Sequence, residues 1–168
     1  SPYAFTRLTG STPSASTGPS TGYSTSGYYY YAETSTTPES PRTSGDVFVL
    51  SYNGSACSSL GLVVSTITFA YHMYGSSTGS LSLVTAEGVT VWSLAGDQGN
   101  VWRLAEALVY SASFHFRYVQ GSANGVTYRG DTAVDEVSLI CGLAPPPPPP
   151  PEPPPQPPPY APLDPYCV

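Results

Sequence analysis

A chain of 168 residues with 5 Lys+Arg against 11 Asp+Glu has room for one domain with a real core. Its net charge of -6 leaves no basic footprint for nucleic acid or anionic lipid. Only 10% of its residues are charged, far below the roughly 25% of an ordinary cytosolic domain, and hydroxyls, Tyr and Gly take their place. That chemistry points to a secreted or wall-associated polypeptide. No apolar run approaches the ~20 residues of a membrane span, so direct membrane insertion is not expected. Cys57, Cys141 and Cys167 form no CxxC and no Cys/His cluster, which argues against structural zinc. Their odd number leaves one thiol free or in an intermolecular bridge. With no initiator Met and no signal-like start, Ser1 is expected to begin a mature or excised fragment.

In chain order, Tyr3, Phe5 and Leu8 suit a short edge strand, and Gly10 to Ser26 reads as a long loop, of a length that is usually functional or held by a ligand. Tyr28 to Ala32 is strand-like, with Tyr28 and Tyr30 on one face and Tyr29 and Tyr31 on the other. After the polar Glu33 to Gly45 loop, Asp46 to Tyr52 is a strand closed by Asn53-Gly54, a strong turn signal. Cys57 follows in a Ser-rich link. From Ile67 the chain alternates: Ile67, Phe69, Tyr71 and Met73 point one way, Thr68, Ala70, His72 and Tyr74 the other. A period of two with aromatic and β-branched residues is a strand with one face in a core. The Gly75 to Gly79 turn leads to its expected return partner, Ser80 to Glu87.

Val89 to Leu94 is a further short strand, Gly96 to Gly99 a turn, and Val101 to Leu104 a strand or connector. Ala105 to Tyr110 is compatible with a single helical turn. Ser113 to Gln120 alternates Phe114, Phe116 and Tyr118 against Ser113, His115, Arg117 and Val119. Thr132 to Ile140 sets Ala133, Asp135, Val137 and Leu139 on one face. Eight or nine short strands with Gly/Ser/Thr turns predict an all-β, antiparallel two-sheet sandwich or jelly roll. At Ala144 the composition changes: Pro145 to Pro159 is proline broken only by Glu152 and Gln156. Such a run lacks amide hydrogens and predicts a polyproline II tail, either a stiff spacer or a rod taken up by a partner's aromatic-lined groove. The expected division is a sandwich over 1–143, a rod over 144–159 and an extension over 160–168 bearing Tyr160, Leu163 and Tyr166.

These pieces resemble the MAM domain, an extracellular adhesion module. The matching segments are Phe5-Thr6-Arg7, Thr17-Gly18-Pro19, Gly27-Tyr28-Tyr29, Phe69 to Gly75, Gly79-Ser80-Leu81, Val91 to Gly99, Trp102 and Gly130 to Val137. The resemblance implies a jelly-roll sandwich on a secreted or cell-surface protein, non-catalytic, engaged in protein–protein adhesion and often homophilic. It also implies an opening strand with a cysteine pair ahead of Phe5, which is not found here; it has been cut away, replaced, or is donated by another chain. Cys57 and Cys141 are then candidates for a substitute bridge across the sandwich, with Cys167 left for an interchain link. The proline tail is outside the family pattern and is similar to hydroxyproline-rich glycoproteins of green-algal walls and flagellar surfaces.

Asn53-Gly54-Ser55 is an N-glycosylation sequon, and the Ser/Thr-rich loops and tail prolines are further candidates for covalent glycans. Asp131, Asp135 and Glu136 are the candidate ligands for one structural Ca²⁺, an ion some members of the resembled family hold; otherwise no cofactor is expected. Asp135, on an apolar face, needs that cation or a partner such as Arg7, Arg103 or Arg117. Trp92 and Trp102 are expected in the core with Phe69, Tyr71, Met73, Phe114 and Phe116. Tyr28, Tyr29, Tyr30 and Tyr31 are the candidate platform for a protein partner or a glycan. His72 and His115 are read as sheet histidines, and no nucleophile or paired-carboxylate arrangement for an enzyme is evident. The expected partners are copies of the chain or other surface glycoproteins, with a lectin-like glycan-binding module as the alternative.

Overall fold

The computed structural model describes residues 1–24, 27–35, 37, 42–146 and 150–151; Cys167 and the extension from Tyr160 lie outside them. Among the described residues ten strands form two five-stranded sheets: β1 (Tyr3–Ala4), β2 (Thr6–Leu8), β3 (Tyr29–Ala32), β4 (Val47–Tyr52), β5 (Val63–Met73), β6 (Ser80–Thr85), β7 (Thr90–Ala95), β8 (Arg103–Ser111), β9 (Phe114–Val119) and β10 (Thr132–Gly142). One sheet, the front sheet, has the order β1-β4-β9-β6-β7, and the back sheet β2-β3-β10-β5-β8. All pairs are antiparallel except β1 with β4.

The sheets meet over an aromatic interior. From β5 the inward side chains are Ile67, Phe69, Tyr71 and Met73, and from β9 Phe114, Phe116 and Tyr118. The Phe69 and Phe116 rings meet edge to face with centroids 4.9 Å apart, and Trp92 stands against Phe69 at 5.0 Å. Aromatic pairs in this geometry add ~0.5–1.5 kcal/mol to the area they remove from water. Because strand side chains alternate, the turnover of one aromatic stripe on each sheet is enough to fill a layer ~10 Å thick.

Several local expectations are corrected. Strands β5 and β6 do not pair: β5 lies in the back sheet between β10 and β8, and β6 in the front sheet between β9 and β7. The Gly75–Gly79 turn therefore carries the chain from one layer to the other. Ala105 to Tyr110 is strand, since β8 runs along β5 in register from Tyr71↔Arg103 to Thr66↔Leu108 and, past a one-residue shift, pairs Ser111 with Val64. Ala105, Ala107 and Val109 fill the core side, so tertiary pairing overrides a weak helical pattern. The opening segment is two edge strands and not one. Tyr3–Ala4 pairs β4, Thr6–Leu8 pairs β3, and buried Phe5 sits where the chain changes sheets.

In β10 the register shifts between Asp135 and Ser138, and Glu136 adopts a left-handed φ of 47°. This bulge flips the face: Val134 is in the core before it, while Leu139 and Cys141 pack on the core after it. The strict alternation expected from Ala133 to Leu139 thus fails at Glu136. Ser55–Ser58 forms a single helical turn, α1, that sets Cys57 against β10. A disulfide joins Cys57 to Cys141, with Cα atoms 5.3 Å apart and a sequence separation of 84. A closure of that length stabilises by about 2–5 kcal/mol through the unfolded chain's lost freedom. The Cys57→Ala/Cys141→Ala pair is expected to lose about that much stability in urea unfolding, and an unchanged midpoint would show that the bridge adds no net stability.

Candidate functional site

The outer face of the back sheet is divided into a covered and an open part. Over the covered part, Tyr29, Tyr31 and Ala133 form a second small core, with Leu8 and Trp102 packed on it. The 9–24 segment roofs this cluster. Trp102 Nε1 donates to the Thr21 carbonyl at 2.9 Å, and the Tyr29 hydroxyl to the Gly10 carbonyl at 2.7 Å. Trp102 also stacks edgewise on Tyr29, His72 and Tyr23. The long loop is therefore held by the protein's own aromatic rings.

The Thr17-Gly18-Pro19 motif acquires a physical reason here. The Thr17 hydroxyl accepts from the Asp131 N–H at 2.8 Å and donates to the Tyr74 carbonyl at 3.1 Å, pinning the loop to the ends of β5 and β10. Gly18 has φ 61°, and a side chain there would press on Thr12 and Asp131. Only glycine meets both demands without strain. Thr34 and Gln120 carried no strong local signal in the sequence. They are isolated polar residues whose partners are distant in the chain; Gln120 Nε2, for example, donates to the Thr34 carbonyl.

Asp131, fully buried, is at the centre of this junction. Its Oδ1 accepts from the Thr34 N–H at 3.0 Å and the Thr34 hydroxyl at 2.8 Å. Among the described residues Oδ2 has no hydrogen-bond donor, and the neighbouring Thr12 hydroxyl donates to the Thr17 carbonyl at 2.9 Å. Burial, followed by the nearby Glu33 charge, pushes the Asp131 pKa up to about 7 against the pull of the Thr34 hydrogen bonds. The Tyr29, Tyr31 and Tyr118 rings also face it, with their own pKa values raised chiefly by burial.

The three carboxylates expected to share Ca²⁺ do not converge. Asp135 Oδ2 accepts from the Tyr23 N–H and Oδ1 from the Glu136 N–H, while Glu136 accepts from Ser24. These backbone donors occupy the place that an arginine or cation was expected to fill. Among the described residues no group of three or more His, Cys, Asp or Glu is placed to hold a metal ion. The residues do not fit the ion.

The tyrosine run splits by face. Tyr29 and Tyr31 are buried and unavailable to a partner or sugar, which removes half of the expected platform. Tyr28 remains exposed beneath the Arg7 guanidinium, 3.7 Å from its ring centroid. Tyr30 stands in register with Arg7 on one side and with Val134 and, across β10, Tyr71 on the other, on the inner side of the back sheet. Trp92 is partly buried against the main core and Trp102 against the small one. Buried His72 shares a hydrogen bond with Asn100, and burial lowers its pKa. Asn53 is exposed, its side-chain oxygen accepting from the Ser55 N–H within the sequon.

The open part of the face mixes aliphatic and polar rows, with Glu106, Thr68 and Ser138 aligned between the rows of Leu104 and Leu108. Leu108 and Ile140 flank Thr66 in one cross-strand row, and Leu104 lies opposite Ala70. Leu104, Leu108 and Ile140 are 64%, 61% and 62% exposed. Reading Ala105 to Tyr110 as helical hid this feature, because only the strand pairing sets Leu108 in a row with Thr66 and Ile140, which are distant in the chain.

A rigid double sheet presenting such a surface is a contact module. The comparison with known proteins then gives the family: residues 5–142 match the MAM domain, meprin/A5/mu. The chain is 38% identical over 143 residues to human MAM domain-containing glycosylphosphatidylinositol anchor protein 1, covering 79% of this chain and 14% of that one. It is 31% identical over 144 residues to mouse MAM domain-containing protein 2, covering 79% of this chain and 19% of that one. It therefore spans 14% to 19% of the length of these curated relatives. Among solved structures, a Bacillus subtilis arabinoxylan arabinofuranohydrolase aligns over 82% of this chain and 24% of that one. At 12% identity and a TM-score of 0.39, that likeness carries no functional argument. The chain belongs to the MAM family, and with it is a non-catalytic, extracellular protein-interaction module. No helix among the described residues is long and apolar enough to cross a membrane.

The Asp131 environment predicts a pH dependence. Its folded pKa is raised above the ordinary carboxylate value, so the folded chain holds this proton more tightly than the unfolded one. The stability it contributes is present below about pH 4 and is lost as pH rises through about 7. His72 acts oppositely, losing stability as pH falls below about 6.5. Comparison with Asp131→Asn isolates the carboxylate. The variant is expected to be the more stable near pH 8, with an advantage that shrinks toward about pH 4. A pH-independent difference in urea midpoints would contradict the assignment.

Proposed function

We infer that the chain is an adhesion and assembly module of a cell-surface, cell-wall or flagellar-surface glycoprotein, binding copies of itself or other surface glycoproteins. The observation that carries this is the Leu104, Leu108 and Ile140 stripe on the open part of the back sheet. Leu108 and Ile140 stand exposed on either side of Thr66, with Leu104 beyond Glu106, and exposed aliphatic side chains grouped on one sheet face of a weakly charged chain mark a contact face. In this reading the sandwich over 1–143 has jelly-roll winding, the 144–159 prolines form a polyproline II spacer, and the 160–168 extension carries Cys167 for an interchain bridge. Asn53 and the hydroxyl-rich loops carry glycans. The proline tract's likeness to green-algal hydroxyproline-rich glycoproteins supports hydroxylation and a wall or flagellar setting.

The test is aggregation of beads coated with the full chain. Wild type is expected to cluster them, and Leu108→Asp/Ile140→Asp to reduce clustering at least tenfold while leaving the thermal midpoint within a few degrees. Clustering that survives the double variant would remove this face from the reading.

A further inference from the structure

A second apolar feature lies between the sheets. Beyond the bulge, β10 has no strand neighbour on its β3 side among the described residues, because β3 reaches only Thr132 to Val134. Across from it, β4 is paired by β1 only at Phe48 and Val49, leaving Leu50 to Tyr52 as an edge. The two bare edges bound a cleft of about 260 Å³ whose walls are Tyr30, Leu50, Tyr52, Phe114, Val137 and Leu139, with Phe116 also lining it. Aromatic-lined clefts of this kind suit a polyproline II ligand, whose backbone is already ordered before it binds.

The chain contains such a ligand. From Tyr160 the sequence reads Tyr-Ala-Pro, Leu-Asp-Pro, Tyr-Cys-Val, placing Tyr160, Leu163 and Tyr166 at three-residue intervals. Polyproline II has three residues per turn, so this spacing puts all three on one face about 9 Å apart. A β-strand would put them on alternating faces. Pro162 and Pro165 fall in opposite strand registers, so either register would lack an amide hydrogen. Spacing and proline placement agree on one conformation.

Length decides whose cleft is used. Pro145 to Pro159 in polyproline II spans about 46 Å, and Glu152 and Gln156, each preceding proline, are held to the same backbone region. Leu139 is six residues before Pro145, hence within about 20 Å of it. A tail in that conformation would carry Tyr160 well beyond its own cleft. Resting on the assembly reading above, we propose that Tyr160 to Tyr166 docks as a polyproline II segment into the Tyr30/Tyr52/Phe114/Leu139 cleft of a second copy of this chain. The contact is heterologous, tail to cleft, so it links molecules into open chains, with the proline rod as the fixed spacer between domains.

The experiment uses the full chain carrying Cys167→Ser, which removes disulfide linkage. Methyl-labelled Tyr160→Ser/Leu163→Ser/Tyr166→Ser protein, which has an intact cleft and a disabled tail, is mixed with unlabelled Cys167→Ser protein. The Leu50, Val137 and Leu139 methyl resonances are expected to shift and saturate. Unlabelled tail variant should weaken that binding at least tenfold, as should Val137→Arg in the labelled partner, a change at an exposed position. Absence of shifts, or equal shifts with the unlabelled tail variant, overturns the proposal; the latter assigns the cleft to some other strand. Shifts found in labelled intact-tail protein at every dilution, and absent from the mixture, mean docking within one molecule and also overturn it. Bead clustering of the tail variant separates the two readings. If clustering persists while the cleft stays silent, tail docking has failed and the contact face has not.

Discussion

The structure depends on one constraint: a sheet with an aromatic face has to be covered, and here both faces of the back sheet are aromatic. The inner face is met by the front sheet through Phe69 against Phe116 and Trp92. The outer face, bearing Tyr29, Tyr31 and His72, is met by Trp102 and the 9–24 segment. A loop is thus used as a third layer, held where Thr17, Thr34 and Asp131 exchange hydrogen bonds.

That use of the loop explains the division of the outer face. Loop 9–24 covers the end at which Thr132, Ala133 and Val134 pair with β3, and stops short of the end at which Leu108, Thr66 and Ile140 form a row. What is left bare carries Leu104, Leu108 and Ile140 around a polar Glu106–Thr68–Ser138 row, and it lies on strands fixed by long ladders to their neighbours. A contact face mounted on β8, β5 and β10 is preorganised and orders few side chains on binding. The buried Asp131 is the exception to this economy. It satisfies Thr34 and leaves one oxygen without a donor, so the junction that seats the loop carries a local electrostatic cost whenever the carboxylate is charged.

The disulfide fits the same logic. It joins the helical turn after β4, in the front sheet, to the end of β10 in the back sheet, on the flank where the two layers have bare edges. A covalent tie there resists separation of the layers. The cleft among Tyr30, Tyr52 and Leu139 opens on the same side.

Much of the architecture was legible in the chain. Period-two aromatic stripes at Ile67 to Met73 and Phe114 to Tyr118, the Gly-rich turns and the blocks around Trp92 and Asp131 pointed to the sandwich and its family. These signals are local, because side-chain alternation and turn chemistry need only neighbouring residues. Tertiary structure decided what depends on distant partners. It chose that β5 pairs with β10 and β8 and not with β6, since strand pairing is settled by which faces are covered and not by sequence proximity. It placed the bulge at Glu136 that turns Leu139 and Cys141 inward and Ile140 out. It divided the four tyrosines into two buried and two exposed, because burial on the outer face came from a loop whose own sequence shows no strand or helix. A stretch of chain announces its own backbone habit; what shields it from water is announced elsewhere.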